Sequence, residues 1–531
     1  MNKQSMKRVL SFGGAVAFLG LAAQVSAMDG EQIIKDNCLQ CHSETGDSAA
    51  PFSRISQQRK TPESWQATIN RMKTQRGLKI SKADEKVLLK YLADNQGLAP
   101  SETMGLRYVL EREPNVVEQN VPQHVAEMCL GCHSSARSGL QRRSQDEWEK
   151  LVHFHLGQFP SLEYTAGARN IPWFDIAIND TSKKLAADYP LKSQAWDDWK
   201  KAAKADLKGD WAVSGYMPDK GEYSATLSIM PNKKDEYILL INGHYADGSK
   251  LSGSGSAVVY NGYEWRASII IDGREMRQVF AASADGKALS GRMFLSKEDA
   301  IGGYVNAKKV DKAPTVVAVS PTYVKRGETT KLRITGTNLD TNIDLGKGVK
   351  AKLMSKANDH LIVEVTVDAK AATGVRSVSV AGSELAGALA VYDKLARVEV
   401  TPSYSIARVG GAGAGYDKEK SLYRAVGYSA GKDGKAGTAD DVKLGFMPAT
   451  WTLQPFDEVA EHDNDLKYAG TIDANGIFTP GGAGPNAERK MSTNNAGNLK
   501  VIGTVADGAN KVAGESQLIV TAPDLVREFI R

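Results

Sequence analysis

The chain's four cysteines all fall in two copies of one pentad, Cys38-Leu39-Gln40-Cys41-His42 and Cys129-Leu130-Gly131-Cys132-His133. Cys-x-x-Cys-His is the spacing at which two thiols form thioethers to a porphyrin while the adjacent imidazole takes the iron. A redox dithiol would sit in a βαβ surround, which neither pentad has. A zinc site would draw both Cys-x-x-Cys pairs onto one ion and leave the repeated histidine without a role. Two covalently bound haem c groups are therefore expected. One is tethered by Cys38 and Cys41 with His42 as proximal ligand, the other by Cys129 and Cys132 with His133.

Such an iron has one axial position left, and its occupant sets potential and reactivity. Two segments align on their tryptophans: in RKTPESWQATINRMKTQ, Met72 follows Trp65 by seven residues, and in RRSQDEWEKLVHFHLGQ, His155 follows Trp148 by seven. Each begins with a basic pair and a turn residue and continues as a helix, so Met72 and His155 lie two turns beyond their tryptophans on the same face. Met72 is the expected sixth ligand of the first iron, against a role as core filler. For the second iron the expected ligand is His155, with His153, His124 and an open site as alternatives. Methionine ligation raises potential relative to two imidazoles. Electrons are then expected to enter at the second haem and leave from the first. Ten Lys and Arg against three acids between Arg54 and Lys90 read as a solvated helix face ahead of a docking rim for an acidic acceptor.

The elements that must hold these residues divide the chain. Residues 28–100 and 101–195 read as two helical haem units of the class I cytochrome c kind. Residues 196–311 open on an amphipathic connector and continue as alternating strands punctuated by Asn242-Gly243, Asp247-Gly248, Asn261-Gly262 and Asp272-Gly273. This is hairpin chemistry for an up-and-down antiparallel β-barrel. Residues 312–394 read as an immunoglobulin-like β-sandwich, and 395–531 as a second one with a long Gly-rich, polar insertion. The fold class is multidomain, α plus all-β. The β half shows no serine elbow and no zinc helix motif. His244, His360 and His462 stand isolated and read as structural or exposed, and Lys432–Asp441 misses EF-hand spacing.

Met1–Ala27 carries Lys3, Lys7 and Arg8, an apolar run too short to span a bilayer, and a Val-Ser-Ala cleavage site. It reads as a secretory signal peptide. Removing its three cations from a formal charge of +5 leaves about +2, which is not the balance of a nucleic-acid binder. No later segment is expected to span a membrane.

Tandem pentads behind a leader, followed by three antiparallel β-domains, resemble the dihaem α subunit of bacterial quinohemoprotein amine dehydrogenase in domain order along the whole mature chain. The resemblance rests on Cys38, Cys41, His42, Cys129, Cys132 and His133. It implies a periplasmic heterotrimer with a β-propeller subunit and a small subunit bearing cysteine tryptophylquinone, which oxidises primary amines. Electrons would pass through this chain to a soluble acceptor, a blue copper protein or a cytochrome c. The family also pairs one His/Met haem with one bis-His haem. Class I cytochromes place a proline carbonyl on the proximal histidine; Pro51 is positioned for that in the first unit, and the second has no equivalent. With every cysteine committed to haem, this chain is not expected to oxidise amines alone. A stand-alone dihaem peroxidase and a haem-bearing adhesion module are the readings from other classes.

Overall fold

The computed structural model describes residues 29–164, 171–411, 415–489 and 494–522. The leader expected over Met1–Ala27 lies outside them. No helix among the described residues is long and apolar enough to cross a membrane.

The first helical unit is framed by Gly30–Cys38, Pro62–Arg76 and Lys82–Asn95. Asp29, Thr61 and Ser81 cap these helices, each side-chain oxygen accepting a backbone N–H of the first turn. Gly30 is required where the first helix crosses the third, because a Cβ there would stand 2.1 Å from Tyr91 Cβ. Ile33, Ile34, Phe52, Trp65, Ile69, Leu88, Leu92 and Ala93 form one continuous apolar cluster between the three helices. The second unit repeats the plan with Gln123–Cys129, Gln145–Gln158 and Ser182–Asp188. Its core is split in two, with Val152, Leu162, Trp173 and Ala177 on one side and Val125, Trp148 and Leu185 on the other.

The units meet across a local pseudo-two-fold axis. Gln58–Lys60 and Gln141–Arg143 pair antiparallel, with Arg59 opposite Arg142, its own counterpart in the tandem alignment. Further along, Arg71 stacks on Phe154 at 4.6 Å and Gln75 Nε2 donates to Gln158 Oε1 at 3.1 Å, again counterpart on counterpart. The last turns of the helices Pro62–Arg76 and Gln145–Gln158 thus meet through side chains. At the axis one buried carboxylate, Glu102, accepts from Arg59 Nη1 and Nη2 (2.7 and 2.8 Å) and lies 3.2 Å from Arg142 Nε. Arg59, Lys60, Arg142 and Arg143 are all buried. The basic stretch is thus only partly the solvated face read from sequence, since Arg59 and Lys60 build the interface between units.

The connector becomes the helix Gln194–Lys201, whose Trp196 and Trp199 seal one end of the barrel core. The barrel itself is closed, with eight antiparallel strands running from Gly209–Met217 to Gly302–Lys309 and the last pairing with the first. Side chains alternate in and out as a pleated strand requires, and Trp211, Tyr223 and Trp265 fill the interior. Asn261-Gly262 and Asp272-Gly273 are turns with positive φ at both residues. Asn242-Gly243 corrects the sequence reading, for it lies inside the strand Glu236–Tyr245. Gly243 serves close packing there, because a Cβ would fall 2.0 Å from Ser224 O.

Residues beyond Lys312 form two facing four-stranded sheets, one containing Thr315–Ser320 and His360–Val367, the other Gly374–Val380 and Ser383–Tyr392. The last domain has sheets of three, four and three strands, the insertion supplying short helices and the small sheet with Gly470–Ile472 and Ile477–Pro480. Polar contacts seat the haem units on the barrel. Buried Glu264 pairs with Arg107 and Arg266, each at 2.8 Å, and Asn261 Nδ2 donates to Leu98 O at 2.6 Å.

Candidate dihaem site

Each pentad closes a helix with the same turn. The amides of Cys41 and His42 donate to Cys38 O at 3.1 and 3.0 Å, and those of Cys132 and His133 to Cys129 O at 3.2 and 3.4 Å. This one-turn geometry puts both sulfurs of a pair on one side of the chain. No cysteine is in a disulfide; Cys41 and Cys132 are exposed and Cys38 and Cys129 half-buried. Burial raises the Cys38 thiol and pushes Cys129 up to about 11. That is the reverse of the depressed value a catalytic dithiol needs.

Three histidines are anchored alike. His42 Nδ1 lies 2.9 Å from Ser53 O, His133 Nδ1 2.9 Å from Ser134 O, and His155 Nδ1 2.8 Å from Leu151 O. An Nδ1–H donated to a carbonyl fixes the tautomer and leaves Nε2 with a bare lone pair, the state of a metal-ligating imidazole. Burial lowers the pKa of His133 and of His155, which favours the same neutral form. The carbonyl on His42 belongs to Ser53, not Pro51. Pro51 O is taken by the Thr45 amide at 3.0 Å, which closes the intervening loop.

The alternatives for the second unit are placed differently. His153 is exposed and sits edge-on to Phe174 at 5.2 Å. His124 turns its Nε2 to Asp188 Oδ2 at 3.2 Å. His155 faces inward beside Trp173, and its charge acts on His133. In the first unit Met72 lies half-buried on the last turns of Pro62–Arg76. It stays outside the apolar cluster that holds Trp65 and Ile69.

The surroundings fit a large acidic group. Trp148 Nε1 is buried without an acceptor among the described residues, whereas its counterpart Trp65 Nε1 donates to Gln96 O at 2.9 Å. After burial, the effects on His155 include those of Arg137, Arg143 and Arg71, all disfavouring its protonation. Arg71 and Arg137, with Arg112 and Arg266, line a cleft of about 440 Å³ along the outer face of Pro62–Arg76. Sequence reasoning missed Glu102 and the anchoring carbonyls of Ser53, Ser134 and Leu151. The matching positions of Arg59 and Arg142 were a usable signal for the first; backbone acceptors leave none.

Paired pentads with anchored imidazoles, set on tandem helical units ahead of a barrel and further β-domains, define a multidomain haem-binding protein. Family models agree along nearly the whole chain. Residues 28–196 match the quinohemoprotein amine dehydrogenase α subunit haem-binding region, 204–310 its domain II, 313–393 its domain III and 398–529 its domain IV. The chain belongs to the quinohemoprotein amine dehydrogenase α subunit family, a component of a multisubunit oxidoreductase. A search of curated proteins found no match. Among solved structures, a redesigned β-barrel, mFAP1, bound to DFHBI is 15% identical over 19% of this chain and 91% of its own, with a TM-score of 0.17. Mouse clustered PcdhgC3 EC1-3 is 10% identical over 46% and 86%, at 0.17. The Bacteroides ovatus glucan-utilisation protein SGBP-B, in complex with a mixed-linkage heptasaccharide, is 12% identical over 60% and 67%, at 0.19. Likenesses at these TM-scores carry no argument.

Proposed function

We propose that this chain is the electron-transfer subunit of a periplasmic amine dehydrogenase, with two covalent haems c tethered by Cys38/Cys41 and Cys129/Cys132. His42 and Met72 would be the axial ligands of the first, His133 and His155 those of the second. The observation that carries this reading is the common anchoring of His42, His133 and His155, each Nδ1 on a backbone carbonyl at 2.8 or 2.9 Å. When bound, haem supplies one-electron iron chemistry.

The chain's own residues do the rest. The carbonyls of Ser53, Ser134 and Leu151 hold three Nε2 lone pairs ready. The indole N–H of Trp148 and the guanidiniums of Arg71 and Arg137 offer donors and positive charge to propionate carboxylates. The paired helices Pro62–Arg76 and Gln145–Gln158 keep Met72 and His155 in fixed relation, because each ligand adjoins the Arg71–Phe154 contact. The three β-domains fit a scaffold role of the immunoglobulin-like and barrel type, presenting the haem units to a small quinone-bearing subunit and a propeller subunit. The acceptor would be a soluble blue copper protein or cytochrome c.

The test is haem stoichiometry by pyridine haemochrome, with mass spectrometry of the secreted chain. Two haems per chain and loss of Met1–Ala27 are expected. Cys129→Ser with Cys132→Ser should leave one haem, at Cys38 and Cys41. Two haems retained in that variant would refute the attachment, and high-spin, peroxide-reactive iron would move the reading to a peroxidase.

A further inference from the structure

Side chains from two segments far apart in sequence, His244 and the adjacent pair Asp359-His360, meet where the barrel abuts the following sandwich. His244 is the outward-facing penultimate residue of Glu236–Tyr245, while Asp359 and His360 stand where the strand His360–Val367 begins. His244 Nδ1 lies 3.4 Å from Asp359 Oδ2, and His360 Nδ1 lies 2.9 Å from Asp359 Oδ1. The imidazoles contact edge to face, 5.8 Å between centroids. One donor atom from each residue lies within 4.8 Å of the other two. This corrects the sequence reading of His244 and His360 as isolated; His462, at 76% side-chain exposure, meets its neighbour Asp463 at 3.3 Å.

Asp359 and His360 are buried, and the His244 side chain is 38% exposed. A buried carboxylate is costly unless cations or strong donors meet it. The neighbouring cation, Arg333, is occupied in bonds to Ser224 Oγ (2.8 Å) and Tyr245 O (3.1 Å). Glu222 and Asp247 also act on Arg333, and Lys250 is the cross-strand neighbour of His244.

We propose that His244, Asp359 and His360 form a three-ligand site for a divalent transition cation of the zinc class, joining the barrel to the sandwich. The two separations run to different oxygens of Asp359, 3.4 Å to Oδ2 and 2.9 Å to Oδ1, so a small turn of the carboxylate would bring one oxygen to the roughly 3.3 Å that separates donors on a tetrahedral ion. Two imidazoles and one carboxylate select zinc over calcium or magnesium, which take oxygen ligands. The exposed side of His244 leaves the fourth position to water. Because the ligands come from two domains, occupancy couples barrel to sandwich. The site is independent of the haem assignments.

The experiment uses the tag-free, haem-loaded full chain, stripped with chelator and titrated with zinc chloride by calorimetry, with elemental analysis after gel filtration. One zinc per chain is expected beside the iron, with a thermal midpoint that rises with zinc. His244→Gln and His360→Gln should each weaken binding on the order of 100-fold and leave the haem absorption spectrum unchanged. Half-exposed His244 keeps the test decisive if His360→Gln fails to fold. No zinc uptake, or equal uptake by wild type and His244→Gln, would overturn the site and leave a purely hydrogen-bonded contact.

Discussion

Trp65 and Trp148 hold the same place in their units, yet Trp65 Nε1 has an acceptor at 2.9 Å and Trp148 Nε1 has none among the described residues. Around Trp65 the apolar cluster is continuous from Ile33 to Ala93; around Trp148 it is divided. Each buried indole removes about 200 Å² from water, worth about 5 kcal/mol before ordering costs, so both positions are fixed by packing. The difference lies in what they face. The first unit gives its indole a backbone acceptor, and the residue seven further on is Met72. The second leaves a donor open, presents an imidazole at His155 and surrounds it with Arg71, Arg137 and Arg143. The axis contacts show the same departure from symmetry: Gln75 meets Gln158 as equals, but Arg71 meets Phe154. One helical frame thus holds two unlike surroundings for the two pentads.

That comparison can be broken most severely at the axis or at Met72. Met72→His should make the first unit resemble the second and lower one potential by tenths of a volt, within the roughly 0.8 V that axial ligands span. The other potential should stay, as measured by spectroelectrochemical titration.

Glu102→Ala should separate the units, since it strands Arg59 and Arg142 without their shared carboxylate. Breaking a buried pair costs about 3–5 kcal/mol, read by denaturant unfolding. Burial alone would raise the Glu102 pKa, but the Arg59 hydrogen bond and charge, the Ala99 amide and Arg142 outweigh it and take the carboxyl down to about 2. Its stabilisation is therefore complete above the ordinary value of 4.5 and lost as pH falls from there toward 2. Wild type should show that acid loss and Glu102→Ala should lack it.

Arg71→Gln should have the smallest effect. Removing one cation near His155 should lower the second unit's potential on the order of 40 mV, about 1 kcal/mol for one electron, as read by the same titration.

Much of this was legible in the residues. The pentads, the tandem Trp spacing and the Asp272-Gly273 hairpin state their geometry locally, in spacings a helix or a turn must respect. Asn242-Gly243 misled because the glycine is demanded by a neighbouring strand, Ser224–Ala225, and not by a turn. Pro51 misled because its carbonyl was claimed by Thr45 within the same loop. Glu102 and the His244–Asp359–His360 cluster were hidden because their partners come from other units, brought together by tertiary packing that no local period records.

In the proposed reading the units differ in their sixth ligand. That difference is tested most directly by low-temperature electron paramagnetic resonance and near-infrared magnetic circular dichroism of the oxidised full chain. Two low-spin signals are predicted, one bis-histidine and one histidine–methionine with a sulfur-to-iron charge-transfer band that vanishes in Met72→His. Two bis-histidine signals in the wild type, or a methionine band that survives Met72→His, would contradict it.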